Sequence, residues 1–117
     1  MNPLVSVIIP LYNKNNYIIR AIKSVIAQKY DNWELIIIDD RSTDGSYDTC
    51  QRYISSLKTS KNIVLKKMFK NCGCYVAMNS GIIISKGKYF CVLGADDYFL
   101  SDKLTHQVSI LENNKSL

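Results

Sequence analysis

The sequence has 117 residues, of which 47% are hydrophobic and 21% are charged, as in one ordinary globular domain. A chain of this size can bury a hydrophobic core, so intrinsic disorder and collagen-like or coiled-coil structures are excluded. The formal net charge is +5, but the lysines are mostly scattered and no motif for sequence-specific DNA binding occurs, so we expect no nucleic-acid partner. The apolar runs are strand-length and no secretory signal is visible, which predicts a cytoplasmic protein with four reduced cysteines.

The predicted elements alternate between strand and helix along the whole chain. Short apolar, β-branched runs predict strands at residues 4–9, 34–38, 63–68 and 89–93. Apolar residues spaced three and four apart predict the four helices, with Asn15 or Asn16, Asp44 and Ser101 as helix caps. A β-α-β-α-β-α-β-α order with short connections indicates a Rossmann-like α/β fold with a mostly parallel sheet and helices on both faces.

Polar residues follow the predicted strands at the carboxyl edge of the sheet, which is where ligands bind in this class of fold. They are Pro10, Tyr12 and Asn13 after the first strand, Asp39 and Asp40 after the second, and Asp96 and Asp97 after the fourth. Two adjacent carboxylates repel each other unless a cation lies near them, and Mg²⁺ is often held by one or two carboxylates with substrate phosphates. Asp96 and Asp97 therefore indicate either a metal–phosphate site or solvated loop carboxylates.

The residues after the first two strands can also be interpreted in two ways. Asp40 or its neighbouring backbone can accept a hydrogen bond from the N3–H of a pyrimidine, and the ring of Tyr12 can stack on the base. Alternatively, Tyr12 packs in the core and Asp39 or Asp40 caps the loop through Ser42 and Thr43. The two carboxylates can also divide these roles. Neither a P-loop nor a dinucleotide fingerprint occurs, which disfavours ATP hydrolysis and NAD binding.

Taken together, these motifs resemble the family 2 glycosyltransferases, which have the GT-A fold. The segments that carry the resemblance are residues 5–13, 24–30, 34–46, 71–73, 77–82, 86–89 and 94–97, the last at the family's D-x-D motif. The resemblance implies inverting transfer of a sugar from a nucleotide-sugar donor, often a UDP-sugar, with Mg²⁺ or Mn²⁺. The implied acceptor is a glycan or a lipid-linked molecule of polysaccharide biosynthesis, which allows peripheral association with the inner face of the membrane.

The resemblance also implies a role for individual residues. The implied donor-site residues are Pro10 and Tyr12 in the base pocket, Asp40 at the uracil with Asp39 beside it, Asp96 at the ribose or metal, and Asp97 at the metal–diphosphate, with Asn13 and Asn79 as further contacts. Two positions depart from the family pattern. Gly94 replaces the first carboxylate of the common D-x-D-D pattern, and Met78 stands where the family often has arginine.

No residue of this chain matches the general base of the family, whose acceptor-binding half lies beyond this region. We therefore expect residues 1–117 to form a single, truncated GT-A-like domain that binds a nucleotide sugar, from the N-terminal half of a longer transferase. One alternative is a catalytically inactive nucleotide-binding fragment. The other is a receiver-type phospho-acceptor domain, whose acidic pair would follow the first strand, where this chain has Pro10 to Asn13.

Overall fold

The computed structural model describes residues 2–114 and confirms the predicted alternation of strands and helices. The strands are β1 (Val5–Leu11), β2 (Trp33–Asp39), β3 (Ile63–Lys67) and β4 (Tyr89–Val92). The helices are α1 (Ile18–Ile26), α2 (Ser46–Ser56), α3 (Cys74–Ile84) and α4 (Lys103–Asn113). Among these helices, none has the length and apolar content needed to cross a bilayer.

The four strands form one parallel sheet in the order β3-β2-β1-β4. All seven residues of β2 are buried, as expected for a central parallel strand that is covered on both faces. The chain runs outward from β1 to β3 and then returns to place β4 on the other side of β1. This reversal creates a topological switch point at the carboxyl end of β1, where open α/β sheets bind their ligands.

Two apolar clusters hold the helices against the sheet. The larger cluster lies on the face that carries Val7 and Ile9, and it includes residues of α1, α2 and α4. The smaller cluster joins Ile8 and two isoleucines of β2 to Ala77 of α3. A Cβ atom at Gly81 would lie 2.7 Å from Cγ2 of Ile8. The glycine that lowers the helix propensity of α3 is therefore what allows this helix to approach β1 closely.

The predicted helix caps are wrong in position. The N-cap residues of α1, α2 and α4 are Tyr17, Gly45 and Asp102, and none of them makes a side-chain capping hydrogen bond. Asp44 precedes the N-cap, and its carboxylate accepts hydrogen bonds from the N–H of Ser46 at 3.0 Å and of Asn15 at 3.1 Å. Burial alone would raise the pKa of Asp44, but a hydrogen bond from the Ser46 hydroxyl, together with those from the backbone N–H groups, outweighs burial and lowers the pKa. Asp44 thus joins the start of α2 to the loop between β1 and α1.

Candidate functional site

A cavity of about 320 Å³ opens at the carboxyl edge of the sheet, beside the switch point. It is lined by Pro10, Leu11, Tyr12, Lys14, Asp40, Cys74, Ala77, Gly94, Ala95 and Asp96. Three strand ends and the first turn of α3 therefore contribute to one concave site. Of the residues predicted from the sequence, the structure brings Pro10, Tyr12, Asp40 and Asp96 together here.

Tyr12 presents its ring to this cavity rather than to the core. The residue is 43% exposed, whereas its neighbour Leu11 is fully buried. The core-packing alternative for Tyr12 is therefore wrong. A flat aromatic ring at the wall of an open cavity is suited to stacking on a planar ligand group.

The adjacent carboxylates of Asp39 and Asp40 divide the structural and cavity-lining roles. Asp39 is fully buried at the end of β2 and does not line the cavity. Its Oδ1 accepts a hydrogen bond from Oγ of Ser42 at 2.6 Å, and its Oδ2 accepts one from the Ser42 N–H at 3.0 Å. Asp39 thus caps the loop that follows β2, which is one of the roles left open by the sequence.

Asp40 lines the cavity, and two backbone N–H groups hold its carboxylate in place. Its Oδ1 accepts a hydrogen bond from the N–H of Cys72 and its Oδ2 accepts one from the N–H of Gly73, both at 2.8 Å. Each oxygen of an ionised carboxylate can accept a second hydrogen bond, so Asp40 keeps accepting capacity toward the cavity. Gly73 has a φ of 97°, a backbone conformation that favours glycine. Asn71 adds a hydrogen bond of 3.1 Å to the backbone carbonyl of Asp40.

Asn13 joins two loops and does not line the cavity. Its side-chain oxygen accepts a hydrogen bond from the N–H of Thr43 at 2.7 Å, and its own N–H donates to Oγ of Ser42 at 2.9 Å. Its φ of 51° is unusual for a residue other than glycine and fits this tight arrangement. Asn79 lies on an exposed part of α3 and does not line the cavity either.

The two carboxylates of the loop after β4 both lie beside Gly94. A Cβ atom at Gly94 would lie 2.5 Å from Oδ2 of Asp97 and 3.4 Å from Oδ1 of Asp96. Asp96 lines the cavity of about 320 Å³, whereas Asp97 lines a wider neighbouring depression of about 680 Å³ that continues along α4. Gly94 borders both, and the absence of a side chain at this position leaves room for both carboxylates.

Two basic residues that the sequence analysis did not single out contact Asp96. Nζ of Lys14 lies 3.6 Å from Oδ2 of Asp96, and Nη2 of Arg20 donates a hydrogen bond of 2.7 Å to the Asp96 carbonyl. The only available signal for Lys14 was its position directly after Asn13, at the end of the first strand. Arg20 gave no such signal, because it lies in a helix and is 76 residues from its partner.

The side chains at this edge supply only part of the coordination shell of a divalent metal ion. Within residues 2–114, no three histidine, cysteine, aspartate or glutamate side chains are grouped closely enough to hold a metal. Asp96 and Asp97 supply hard oxygen ligands of the kind that Mg²⁺ and Mn²⁺ prefer. A metal ion bound here would need its remaining ligands from water and from an anionic substrate.

Residues 6–117 match the model of the family described as Glycosyl transferase family 2. The putative teichuronic acid biosynthesis glycosyltransferase TuaG of Bacillus subtilis is 39% identical over 109 residues, which are 93% of this chain and 42% of TuaG. The UDP-Glc:alpha-D-GlcNAc-diphosphoundecaprenol beta-1,3-glucosyltransferase WfaP of Escherichia coli is 37% identical over 112 residues, or 96% of this chain and 43% of WfaP. The chain thus spans less than half the length of these two relatives.

Solved glycosyltransferase structures share the fold. The mannosyltransferase PcManGT from Pyrobaculum calidifontis, in complex with GDP-Man and Mn²⁺, superposes with a TM-score of 0.88 at 24% identity and covers 95% of this chain and 33% of its own. TarS residues 1–349 from S. aureus, in complex with UDP, has a TM-score of 0.82 at 23% identity and covers 93% and 32%. These similarities confirm the GT-A-type α/β fold.

Proposed function

The chain belongs to glycosyl transferase family 2, and we propose that it is the part of a glycosyltransferase that binds the nucleotide-sugar donor. The observation that carries this proposal is the shared cavity of Pro10, Tyr12, Asp40 and Asp96 at the switch point of the sheet. Side chains from three separate strand ends meet there around an open space. The Tyr12 ring can stack on a nucleotide base, and the Asp40 carboxylate can accept a hydrogen bond from the edge of that base. The loop that carries Asp96 and Asp97, here called the acidic loop, can bind a diphosphate through a metal ion.

The base subsite consists of Tyr12, Pro10 and Asp40. Tyr12 provides the stacking face, and the Asp40 carboxylate provides acceptors and no donor when it is ionised. Uracil has an N3–H donor at the matching position, whereas cytosine has an acceptor there. We therefore propose a UDP-sugar donor, which agrees with the UDP-Glc in the name of WfaP and with the UDP in the TarS complex. Guanine also has a ring N–H donor, and PcManGT was solved with GDP-Man, so GDP is the competitor to test.

The diphosphate subsite lies at Asp96 and Asp97. We propose that these two carboxylates hold Mg²⁺ or Mn²⁺ together with the donor phosphates, because two hard oxygen ligands do not complete a coordination shell. The bound ion would offset the negative charge that develops on the leaving diphosphate. The role of the chain itself is to bind and orient: Tyr12 and Asp40 fix the base, and the acidic loop fixes the phosphates relative to it.

The class of acceptor substrate is proposed by analogy with the names of the relatives. The names of TuaG and WfaP refer to teichuronic acid and to a diphosphoundecaprenol-linked sugar. A glycan or lipid-linked acceptor would bring this chain to the inner face of the membrane as a peripheral, cytoplasmic protein. We assign no general base among residues 2–114, and we expect residues 1–117 to bind the donor without transferring its sugar. This outcome coincides with the catalytically inactive alternative, whereas family membership leaves the receiver-type alternative without support.

Isothermal titration calorimetry with UDP, GDP and CDP in the presence of Mn²⁺ tests the proposal. We expect UDP to bind most tightly, and Asp97→Ala to weaken UDP binding while uridine binding is kept. Asp48→Ala, at an exposed position on α2, is the matched control and should bind like the wild type. Absence of UDP binding by a folded sample would refute the donor-binding function. A sugar-transfer assay on residues 1–117, run beside full-length TuaG, tests separately whether residues 1–117 catalyse transfer of the sugar.

A further inference from the structure

We propose that Lys14 is a ligand of the donor diphosphate and that its ammonium group takes the place of the divalent cation at Asp96 while no donor is bound. This inference rests on the donor site proposed above and assigns a residue of that site for which the family resemblance implied no role. Lys14 lies in the loop between β1 and α1, and its Nζ is 3.6 Å from Oδ2 of Asp96 across the cavity.

The backbone of Lys14 is held by hydrogen bonds, whereas its side chain makes a partly exposed ion pair. The Lys14 N–H donates a hydrogen bond to Oγ of Ser46 at 3.0 Å, and the Lys14 carbonyl accepts one from Ile18 at 2.9 Å at the start of α1. The ion pair with Asp96 is partly exposed, with side-chain exposures of 43% for Lys14 and 49% for Asp96. Such pairs contribute little to stability. The ammonium group can therefore change partners without disturbing the fold.

The charges at the cavity explain why a change of partner is expected. Among the described residues that line the cavity, Lys14 is the one basic side chain, while Asp40 and Asp96 are acidic. A diphosphate that enters without a cation meets carboxylates of its own charge. A divalent ion at Asp96 repels the ammonium group of Lys14, whose nearest new anion is then the donor phosphate. Lysine is a common phosphate ligand in proteins, so this second position suits its chemistry.

The acidic loop does not depend on Lys14 for its position. Arg20 holds the Asp96 carbonyl with a hydrogen bond of 2.7 Å, and this contact remains when the Lys14 side chain is shortened or neutralised. A Lys14→Met variant should therefore fold normally and keep the acidic loop in place, so a change in its binding reports on the lost charge.

The test compares wild type, Lys14→Met and the control Lys23→Met, an exposed position on α1, by calorimetric titration with uridine and with UDP plus Mn²⁺. We expect Lys14→Met to bind UDP about tenfold more weakly, as is typical when a charge-assisted hydrogen bond is lost, and to bind uridine within about twofold of wild type. In the absence of nucleotide, Mn²⁺ titration followed by electron paramagnetic resonance should show tighter Mn²⁺ binding to Lys14→Met, because the ammonium no longer competes for Asp96. Lys23→Met should match the wild type in all three titrations.

The failures of the two proposals can be told apart. If wild type binds uridine and UDP but Lys14→Met leaves UDP affinity unchanged, or weakens both ligands equally, the role of Lys14 is refuted and the donor site stands. If Mn²⁺ binds Lys14→Met no more tightly than wild type, the exchange at Asp96 is refuted. If folded wild type binds neither uridine nor UDP, the donor site is refuted and this inference is refuted with it.

Discussion

The guanidinium group of Arg20, on α1, donates a hydrogen bond of 2.7 Å to the backbone carbonyl of Asp96 in the loop after β4. The same group lies 5.0 Å from the ring centroid of Tyr98 and 5.6 Å from that of Tyr17. Arg20 therefore attaches the acidic loop to α1 through two groups of that loop, the carbonyl of Asp96 and the ring of Tyr98. This attachment determines where the carboxylates of Asp96 and Asp97 are presented.

We expect Arg20→Met to weaken the Mn²⁺-dependent binding of UDP several-fold while uridine affinity stays unchanged, because the acidic loop loses its attachment and the base subsite does not. The free energy of unfolding should fall by about 2 kcal/mol, since two exposed cation–π contacts and one hydrogen bond are lost. Calorimetry and urea unfolding measure the two effects. Arg52→Met, at an exposed position on α2, is the control. Wild-type UDP affinity in Arg20→Met would contradict a positioning role for Arg20.

Asp40→Asn should lower both stability and uridine affinity. An amide replaces one acceptor oxygen with an NH₂ group, which then faces the N–H donor of Cys72 or Gly73 in a buried place. A loss of about 1–3 kcal/mol in the free energy of unfolding is typical of such an unsatisfied donor. The substitution also impairs the hydrogen-bond acceptor proposed for the nucleotide base. Urea unfolding and uridine titration measure the two losses.

Asp39→Asn is the matched comparison for Asp40→Asn. The hydroxyl group of Ser42 can reverse its role and accept from the new amide, so the loss of stability should be smaller. Because Asp39 does not line the cavity, uridine affinity should stay at the wild-type value. A loss of uridine binding in Asp39→Asn as large as in Asp40→Asn would show that the two carboxylates do not divide their roles in this way.

The strands and the sheet edge could be predicted from the sequence because buried parallel strands leave a clear signal of apolar, β-branched runs. The division between Asp39 and Asp40 could not, because it depends on partners far along the chain: the Asp40 carboxylate is held by N–H groups 32 and 33 residues away. The position of Lys14 beside Asp96 could not be predicted for a related reason. A lysine in a loop carries no periodic pattern, and only the tertiary structure shows that it faces Asp96.

Gly94→Ala should leave the fold intact and raise the Mn²⁺ concentration needed for half-maximal UDP binding several-fold. The added Cβ would lie 2.5 Å from Oδ2 of Asp97, so the Asp97 carboxylate has to move from its present position. The obstacle is the end of a side chain on an exposed residue, so the cost in stability should stay below about 1 kcal/mol. Uridine binding should not change. An unaltered Mn²⁺ requirement would contradict a role in Mn²⁺ binding for the Asp97 carboxylate in its position beside Gly94.

Gly87→Ala provides the contrast to Gly94→Ala. A Cβ atom at Gly87 would lie 2.7 Å from the backbone nitrogen of Ser6 and 2.7 Å from the carbonyl oxygen of Tyr89, which belong to two paired strands. These backbone atoms cannot move without breaking the sheet, so the loss of stability should exceed that of Gly94→Ala in thermal unfolding. Because Gly87 does not line the cavity, the folded fraction of Gly87→Ala should bind UDP normally.

The cysteines should differ sharply in their reaction with N-ethylmaleimide. Desolvation raises the pKa of the Cys50 thiol to about 12 and that of Cys91 to about 11. The thiolate is the reactive form, so at pH 8 at most roughly one in a thousand of either thiol is ionised. Cys74 is exposed and lines the cavity. We expect Cys74 to be labelled first, which peptide mass spectrometry can measure, and Cys50 and Cys91 to be labelled much more slowly at pH 8.

Saturating UDP with Mn²⁺ should slow the labelling of Cys74, because the nucleotide occupies the cavity that this thiol faces. Cys74→Ser should remove the fast, UDP-sensitive labelling, and Cys72→Ser should retain it, since Cys72 does not line the cavity. Uridine alone should protect Cys74 as UDP does if the base lies between Tyr12 and the start of α3. An unchanged rate of Cys74 labelling under saturating UDP would place the nucleotide outside this cavity.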